Sequence, residues 1–321
     1  MNFLKISFLW SSNLENNLIF RLIKILSKKK IKITSVNECD FLIFGPYDHY
    51  SIKRKILNTL RQKVNNIETI FPNLDVYLVN RKIKPLRLFY SQENYGFPST
   101  TKYDFAITPH LGISKKNHFR FASWKDSIDW SHEGIHRELI TDVKRFGEYY
   151  NINDLISPQG NSFLKKERKI CLITSHLNEP RKSIYEELSK NFIIDGYGPY
   201  FDKNITNHNA SKFTKKEILK NYSFNLCPEN ALYPGYYTEK VPDAFLGKCL
   251  PLAWADNYIN SDFNEKSFIN LYNYTKENYS EINYLLKDDI FLKKFSDQPL
   301  LINTPNLNTE ISFLKKILDS F

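Results

Sequence analysis

The pattern of apolar and polar positions predicts a strand, a helix and a second strand at the start of the chain. Leu4–Trp10 has the composition of a buried strand, and Asn16–Ser27 carries apolar residues at helical spacing. Asp40–Gly45 is a short apolar run closed by Gly-Pro, which is typical of a buried parallel strand that ends in a turn. This order predicts α/β units. Further strands of the first half are predicted at Val76–Val79, Leu86–Tyr90 and Tyr103–Ile107.

The same order of elements begins again after a loop-like stretch at Gly147–Lys166. Because both halves alternate strands and helices, we predict two doubly wound α/β domains that face each other across a cleft. The predicted boundary separates an N-terminal domain, 1–160, from a C-terminal domain, 161–321, which ends in an amphipathic helix at Glu310–Phe321. The elements predicted for the second half are strands Ile170–Thr174, Phe192–Asp195, Phe224–Cys227 and Leu250–Trp254, and helices Arg181–Lys190, Lys215–Lys220 and one that begins near Thr238.

Length and composition support a folded protein with two domains. The chain has 321 residues, of which 42% are hydrophobic and 25% are charged, and this excludes collagen-like and disordered chains. Its cysteines are far apart and fit neither a paired metal motif nor a disulfide framework, so we expect free thiols in a reducing compartment. They are Cys39, Cys171, Cys227 and Cys249.

The charge balance narrows the class of partner. With 45 Lys and Arg against 35 Asp and Glu, the net charge is +10, which favours nucleic acid, an acidic membrane surface or a phosphate-bearing small molecule. A diffuse basic surface with no specific partner is an equal alternative, since basic residues occur throughout the chain. The apolar run at the N-terminus is too short for a signal peptide, and none reaches the ~20 residues of a membrane span. We therefore expect a cytoplasmic protein, with peripheral attachment to a membrane as the alternative.

A polar cluster follows one predicted strand of the second half. Glu229 and Asn230 come just beyond Phe224–Cys227, and open parallel sheets bind ligands at this end of their strands. Tyr236 begins the run YYTEK, in which Thr238 is placed to cap a helix.

The charged residues of that run complete an anion-binding pattern. The amides of the first helical turn suit a phosphate, and Lys240 adds a full positive charge. Spacing alone leaves the alternative that Glu239 and Lys240 are a solvated surface pair.

This stretch resembles the donor-binding signature of the α1,3/4-fucosyltransferases, glycosyltransferase family 10. The family pattern is roughly FxLxFENS, then GYxTEKIxxAxxxGxIPIYWG, then DFNxxSFINxxDF. The resemblance covers about 90–274 of this chain and is strongest over about 170–274. The matching positions are Gly235, Tyr236, Thr238, Glu239, Lys240, Ala244, Gly247, Pro251, Trp254, Asp262, Phe263, Asn264, Ser267, Phe268, Ile269 and Asn270.

Two segments extend the resemblance upstream. Ser175–Ser189 is similar to the family segment in which a turn leads to an arginine and a helix, which implies that Arg181 contacts the donor diphosphate. A guanidinium suits that role because it binds phosphate oxygens with two parallel hydrogen bonds. Tyr90–Asn94 is similar to a family segment that contains a glutamate, which implies that Glu93 is the catalytic carboxylate. Without the resemblance, Arg181 would be a surface helix residue and Glu93 a solvated loop residue.

The resemblance implies a GT-B fold, with an acceptor-side N-terminal domain and a C-terminal domain that binds the nucleotide sugar. It implies inverting transfer of L-fucose from GDP-fucose to a hydroxyl of an oligosaccharide or glycolipid, in an α1,3/4-type linkage. By family analogy the product belongs to a surface glycan or lipopolysaccharide. We expect no cofactor or obligatory metal, because no DxD-type motif stands out. The implied roles are catalysis for Glu93 and donor binding for Arg181, Glu229, Asn230, Tyr236, Glu239 and Lys240.

Departures from the family pattern leave alternatives open. Pro228 and Ala231 flank Glu229 and Asn230 where the family has Phe and Ser, and Glu265 replaces a common Pro. Ala253 and Ala255 replace a Tyr and a Gly near the expected position of the sugar or acceptor, so another GDP-activated sugar is an alternative donor. A catalytically inactive sugar-binding relative is a second alternative. A basic nucleic-acid-binding protein is a remote third, since no recognised nucleic-acid motif is present.

Overall fold

A computed structural model describes residues 3–9, 17–46, 84–94, 103–136, 149–202, 214–274 and 279–321. Contacts divide the chain into two units. Unit 1 comprises Met1–Phe121, Glu133–Arg137 and Asn306–Phe321, and unit 2 comprises Ala122–His132 and Glu138–Pro305.

The described residues form strands and α-helices, which alternate regularly over residues 170–254. The strands are β1 (Phe3–Leu9), β2 (Lys30–Ile33), β3 (Phe41–Phe44), β4 (Leu86–Tyr90), β5 (Phe105–Thr108), β6 (His118–Arg120), β7 (Ile170–Ile173), β8 (Ile194–Tyr197), β9 (Phe224–Pro228), β10 (Leu250–Trp254) and β11 (Ile269–Asn270). The helices are α1 (Leu18–Leu26), α2 (Ile152–Ile156), α3 (Arg181–Ser189), α4 (Lys215–Leu219), α5 (Lys240–Leu246), α6 (Tyr279–Leu285), α7 (Asp289–Lys293) and α8 (Asn308–Leu318).

Unit 1 contains a parallel sheet in the order β2-β1-β3-β4-β5-β6. All of β3 is buried, as expected for an apolar strand with neighbours on both sides. Asn17 caps α1 by accepting a hydrogen bond from the backbone N–H of Ile19. The predicted strand Val76–Val79 lies outside the described residues.

Unit 2 contains a parallel sheet in the order β11-β10-β9-β7-β8. In both sheets the chain places its second strand on one side of the first and its third strand on the other. The order therefore reverses between β1 and β3 in unit 1 and between β7 and β9 in unit 2. Open α/β sheets bind ligands beyond the carboxyl ends of the strands at such a switch point.

The observed division differs from the predicted boundary of 1–160 and 161–321 at two places. Residues 149–160 lie in unit 2, where the hydroxyl of Tyr150 donates a hydrogen bond of 2.6 Å to Asp243. The chain end lies in unit 1, where α8 packs against α1. The centroid of the Phe313 ring lies 5.9 Å from that of Phe105 and 5.2 Å from that of Phe119. The predicted amphipathic helix thus forms and packs on protein.

Two further sequence-based expectations bear on the fold. Cys39, Cys171, Cys227 and Cys249 are all buried free thiols, as predicted. No helix within the described ranges combines the length and the apolarity that crossing a membrane requires.

Candidate functional site

The polar residues of the candidate site surround the switch point of unit 2. Thr174 follows β7, and Glu229 and Asn230 follow β9, so they lie at the same edge of the sheet. Arg181 is the first residue of α3, the helix that follows β7. The fold thus brings together residues from both sides of the switch point.

Arg181 spans the switch point and is not a surface residue. Its side chain is 5% exposed, and it donates a hydrogen bond of 2.9 Å from Nη1 to the hydroxyl of Thr174. The Nη2 group donates to the side-chain oxygen of Asn230. A guanidinium tied to both strand ends is held in one orientation, which is the requirement for binding a phosphate with paired hydrogen bonds.

His176 is a member of the site that sequence reasoning missed. Arg181 Nη1 lies 3.1 Å from its Nε2 atom, and because a guanidinium only donates, the ring nitrogen that it faces must accept. Burial lowers the pKa of His176, and the positive charges of Arg181 and Lys240 lower it further. The imidazole is therefore neutral at pH 7 and adds no charge to the site.

Glu229 holds the segment that carries Lys240. Its side chain is 3% exposed, and its carboxylate accepts hydrogen bonds from the backbone N–H of Thr238 at 2.8 Å and from Lys240 Nζ at 2.7 Å. The backbone N–H of Glu229 extends the sheet by donating to the carbonyl of Trp254 at 3.1 Å. A carboxylate in this position fixes its neighbours rather than meeting a ligand.

Lys240 is fixed but still has a hydrogen to offer. Its ammonium group donates to Glu229 and, at 2.6 Å, to the hydroxyl of Thr238, and these contacts use two of the three hydrogens that an ammonium carries. Burial would lower its pKa, but the carboxylates of Glu229 and Glu239 outweigh burial and raise it. Lys240 is therefore a permanent cation.

The expectation that Thr238 caps a helix is wrong. The helix begins at Lys240, with Glu239 at the N-cap position and no side-chain cap. The hydroxyl of Thr238 bonds instead to Glu229, at 3.0 Å from Oε1. The anion-binding character of this segment rests on the Lys240 side chain, because α5 is a short helix of seven residues.

Asn230 and Tyr236 are joined directly. The side-chain N–H of Asn230 donates to the Tyr236 hydroxyl at 3.2 Å, while its oxygen accepts from Arg181. Tyr236 is buried. Asn230 thus connects Arg181 by hydrogen bonds to Tyr236, in the loop that precedes α5.

Glu239 faces solvent at the rim of the site. Its side chain is 39% exposed, and its carboxylate lies 3.5 Å from Lys215 Nζ. Burial alone would raise the pKa of Glu239, but the positive charges of Lys215 and Lys240 outweigh it and hold the pKa at about 2. Glu239 is therefore an anion at any physiological pH and a hydrogen-bond acceptor only.

Glu93 lies in unit 1, three residues after β4 ends at Tyr90. It is half-buried, and its backbone N–H donates to the hydroxyl of Ser91 at 3.1 Å. The six predicted donor-binding residues, Arg181, Glu229, Asn230, Tyr236, Glu239 and Lys240, all belong to unit 2, and Glu93 is separate from them in the chain division.

The alanines that depart from the family pattern are buried. Ala253 and Ala255 are 0% and 1% exposed, in and just after β10. Their small side chains therefore pack inside unit 2. Within the described ranges no three His, Cys, Asp or Glu side chains form a group that could hold a metal ion.

Comparisons with known proteins show which family part of the chain resembles. A family model described as glycosyltransferase family 10 (fucosyltransferase), C-terminal part, matches residues 163–297. The chain is 25% identical over 217 residues to alpha-(1,3)-fucosyltransferase FucT of Helicobacter pylori, a match that covers 62% of this chain and 43% of the relative. It is 31% identical over 131 residues to a 4-galactosyl-N-acetylglucosaminide 3-alpha-L-fucosyltransferase 9 of Bos taurus, covering 38% of this chain and 33% of the relative. The matches thus span less than half the length of these curated relatives.

Solved structures show the same fold over nearly the whole chain. A crystal structure of an alpha1,3-fucosyltransferase has a TM-score of 0.64 at 20% identity, and the match covers 99% of this chain and 90% of that one. A crystal structure of an alpha1,3-fucosyltransferase with GDP-fucose gives a TM-score of 0.63 at 20% identity, covering 98% of this chain and 90% of that one.

The fold and the site together define an α/β protein of the GT-B type, which confirms the predicted fold class. Residues 163–297 are similar to the C-terminal part of glycosyltransferase family 10, the fucosyltransferases, and this similarity agrees with the resemblance stated from the sequence.

Proposed function

We propose that the protein is an inverting fucosyltransferase that uses GDP-fucose as its donor. The observation that carries the proposal is the pair of fixed cations, Arg181 and Lys240, at the switch point of unit 2. Two cations held by hydrogen bonds suit a diphosphate, which carries its charge in a small volume. The family match and a solved neighbour with GDP-fucose support the same ligand.

The remaining residues of the site supply orientation. Glu239 accepts hydrogen bonds from the ribose hydroxyls, because it is anionic and partly exposed. Asn230 and Tyr236 position the donor beside Arg181, to which Asn230 is bonded. Glu229 keeps Lys240 in place. The site is thus arranged before the donor arrives, and this lowers the entropic cost of binding.

In the proposed reaction an acceptor hydroxyl attacks the anomeric carbon of fucose from the face opposite GDP. The new C–O bond forms as the bond to the β-phosphate oxygen breaks, and GDP leaves with the bonding electrons. Glu93 accepts the hydroxyl proton as general base. The charge that develops on the diphosphate is opposed by Arg181 and Lys240, which stabilise the transition state.

Other features of the reaction rest on family analogy. We propose an oligosaccharide or glycolipid acceptor, an α1,3/4-type linkage and a role in surface glycan or lipopolysaccharide synthesis. Because two permanent cations face the proposed diphosphate position, we expect no obligatory metal ion and no cofactor. A peripheral membrane contact is part of the same proposal, since glycolipid acceptors reside at a membrane.

A second candidate keeps the reaction and changes the sugar. It is motivated by Ala253 and Ala255, which replace a Tyr and a Gly of the family pattern and are buried in unit 2. A smaller residue in place of the Tyr and a larger one in place of the Gly change the packing inside unit 2. Another GDP-activated sugar is the donor in this case.

Ligand-dependent thermal stability tests the donor without knowledge of the acceptor. A ligand at about 100 times its Kd stabilises the folded state by about 2.7 kcal/mol, which raises Tm by several degrees. We expect GDP-fucose to raise Tm by more than UDP-galactose or single-stranded DNA does. An equal response to GDP-mannose would favour the second candidate, and a response to DNA alone would contradict the enzyme.

Charge-matched variants locate the binding. Arg181→Ala and Lys240→Ala should each weaken GDP-fucose binding by roughly 10- to 100-fold, the value of a charge-assisted hydrogen bond. Lys182→Ala is the control, because Lys182 is the exposed neighbour of Arg181 on α3 and its loss changes the net charge equally. Equal effects of Arg181→Ala and Lys182→Ala would contradict the proposed diphosphate position.

A further inference from the structure

A chain of polar groups within unit 2 ends at the exposed carboxylate of Glu239. Behind Glu239 lies Lys215, whose side chain is 22% exposed, and behind Lys215 lies Asp243, whose side chain is 9% exposed. Tyr150, which is buried, completes the series. The series therefore runs from the interior of unit 2 to the rim of the candidate donor site.

Each contact in this series fixes the next group. The hydroxyl of Tyr150 donates to one oxygen of Asp243 at 2.6 Å, and Lys215 Nζ donates to the other oxygen at 2.7 Å. The same ammonium group lies 3.5 Å from Glu239 Oε1. Since both oxygens of Asp243 are engaged, the ammonium group of Lys215 has a defined position.

The backbone of Lys215 is fixed as well. Lys215 begins α4, and Thr214 and Glu217 form a capping box at this end. The hydroxyl of Thr214 accepts from the backbone N–H of Glu217 at 3.2 Å, and the Glu217 carboxylate accepts from the backbone N–H of Thr214 at 2.7 Å. A capping box satisfies two donors that the start of a helix leaves unpaired.

Stability alone does not account for this arrangement. Asp243 by itself neutralises Lys215, and a second carboxylate beside the same ammonium adds like-charge repulsion. Burial raises the pKa of Asp243, and the negative charge of Glu239 raises it further. Buried ion pairs contribute little net stability. What the arrangement does provide is a solvent-facing carboxylate in a fixed place.

We propose that Lys215 is a positioning residue that holds the Glu239 carboxylate in the orientation in which it accepts hydrogen bonds from the ribose of the donor nucleotide. The proposal rests on the proposed function, because it needs a nucleoside diphosphate in this site. Lys215 acts through Glu239 and does not touch the reacting atoms. Discrimination between ribose and deoxyribose is then a property of the Lys215–Glu239 pair.

The decisive experiment compares GDP with 2′,3′-dideoxy-GDP in calorimetric titrations of Lys215→Met. Methionine keeps much of the side-chain length and removes the charge. We expect GDP affinity to fall by roughly 10-fold, the lower end for a charge-assisted hydrogen bond, and the affinity for dideoxy-GDP to stay within about 2-fold. Lys216→Met, the same change at the exposed neighbour on α4, should alter neither.

A double-variant cycle shows whether Lys215 acts through Glu239. Lys215→Met combined with Glu239→Gln should lose no more GDP affinity than Glu239→Gln alone, because residues that act as a unit are not additive. If Lys215→Met proves too unstable to titrate, Tyr150→Phe removes the hydroxyl that fixes Asp243. It should give a smaller loss, of about 3-fold, again for GDP and not for dideoxy-GDP.

The outcomes separate the inference from the function. A wild-type protein that does not bind GDP would overturn the proposed function. If it binds GDP but Lys215→Met binds GDP equally well, or loses both nucleotides equally, the positioning role is wrong and the function stands. The positioning role is also wrong if the wild-type protein binds GDP and dideoxy-GDP with the same affinity.

Discussion

Two carboxylates occupy comparable places in the two units and have different surroundings. Glu229 follows β9 and Glu93 follows β4, each beyond the carboxyl end of a parallel strand. Glu229 is buried and bonded to Thr238 and Lys240, whereas Glu93 is half-buried in a turn formed with Ser91. A general base must reach a substrate proton, and an enclosed carboxylate with fixed partners does not. The comparison therefore favours a structural role for Glu229 and agrees with the proposal that Glu93 is the general base.

The two carboxylates also differ in their distance from the switch point of their sheet. Glu229 lies at the switch point of unit 2, where Arg181 connects the ends of β7 and β9. Glu93 follows β4, which is one strand away from the β1–β3 switch point of unit 1. The proposed anion site lies at the switch point, where side chains from two strand ends converge. A base needs only one well-placed oxygen and can come from a neighbouring strand.

The largest effect that we expect is on turnover in Glu93→Gln. Glutamine keeps the shape of the side chain and cannot accept a proton, so kcat should fall by about 10²- to 10⁴-fold while the Kd for GDP stays unchanged. Steady-state kinetics with GDP-fucose and titration with GDP measure the two quantities. Glu38→Gln, at an exposed position of unit 1, is the matched control. Normal turnover in Glu93→Gln would remove Glu93 as the base.

Glu229→Gln should instead affect stability. The substitution leaves the ammonium of Lys240 without its carboxylate partner in a mostly buried position. Breaking a buried pair on one side costs several kcal/mol, and we expect about 2 kcal/mol here because Lys240 retains some contact with water. In a unit of this size that lowers Tm by roughly 4–8 °C, measurable by circular dichroism.

A second substitution sharpens that result. Glu229→Gln combined with Lys240→Met removes both charges, and the double variant should recover part of the lost Tm, since the uncompensated ammonium is gone. Under the same conditions Glu93→Gln should change stability by no more than about 0.5 kcal/mol, as is usual for partly exposed positions. If the two glutamate variants lost equal stability, the distinction between support and catalysis would not hold.

The elements that could be predicted from the sequence are the buried ones, because burial requires a run of apolar residues. Both faces of a parallel strand are covered, so β10 is a continuous apolar run and β9 is apolar except for Asn225. The predicted and observed limits of both strands agree to within one residue. The strand β2 was missed because it is an edge strand that alternates lysine with isoleucine and is largely exposed. Its lysines make the segment too polar to be recognised as a strand from its apolar residues.

The site was predictable only as far as its motifs are local. Glu229, Asn230 and Lys240 lie within a short stretch that resembles a family signature. Thr174 is the last residue of a predicted strand and His176 lies two residues beyond it, so their position at a strand end was a usable signal. The sequence held no comparable signal for the roles of Lys215 and Tyr150. Tyr150 contacts Asp243, which lies 93 positions away in the chain, and the predicted boundary at 160 placed Tyr150 in the other domain. Such contacts follow from tertiary structure alone.

The smallest effect that we expect is on the pH dependence of the free energy of unfolding. It concerns a third carboxylate, that of Glu239. Burial would raise the pKa of Glu239, but Lys215 and Lys240 hold it at about 2, against an ordinary value of 4.5. Because the folded state binds the proton more weakly than the unfolded state, ionised Glu239 stabilises the fold above pH 4.5, and this contribution is lost as the pH falls towards 2.

Partial exposure limits the size of this contribution to below about 1 kcal/mol, since water and salt screen the pair. Urea unfolding between pH 6 and pH 3 measures it as a slope, which Glu239→Gln should reduce, because glutamine has no proton to bind. Lys215→Met should reduce the slope in part, because Lys240 still acts on Glu239. If the slope in Glu239→Gln equalled that of the wild-type protein, the two lysines would not lower the pKa of this carboxylate in the folded state. The proposed role of Glu239 as a hydrogen-bond acceptor held by Lys215 would then lose its electrostatic support.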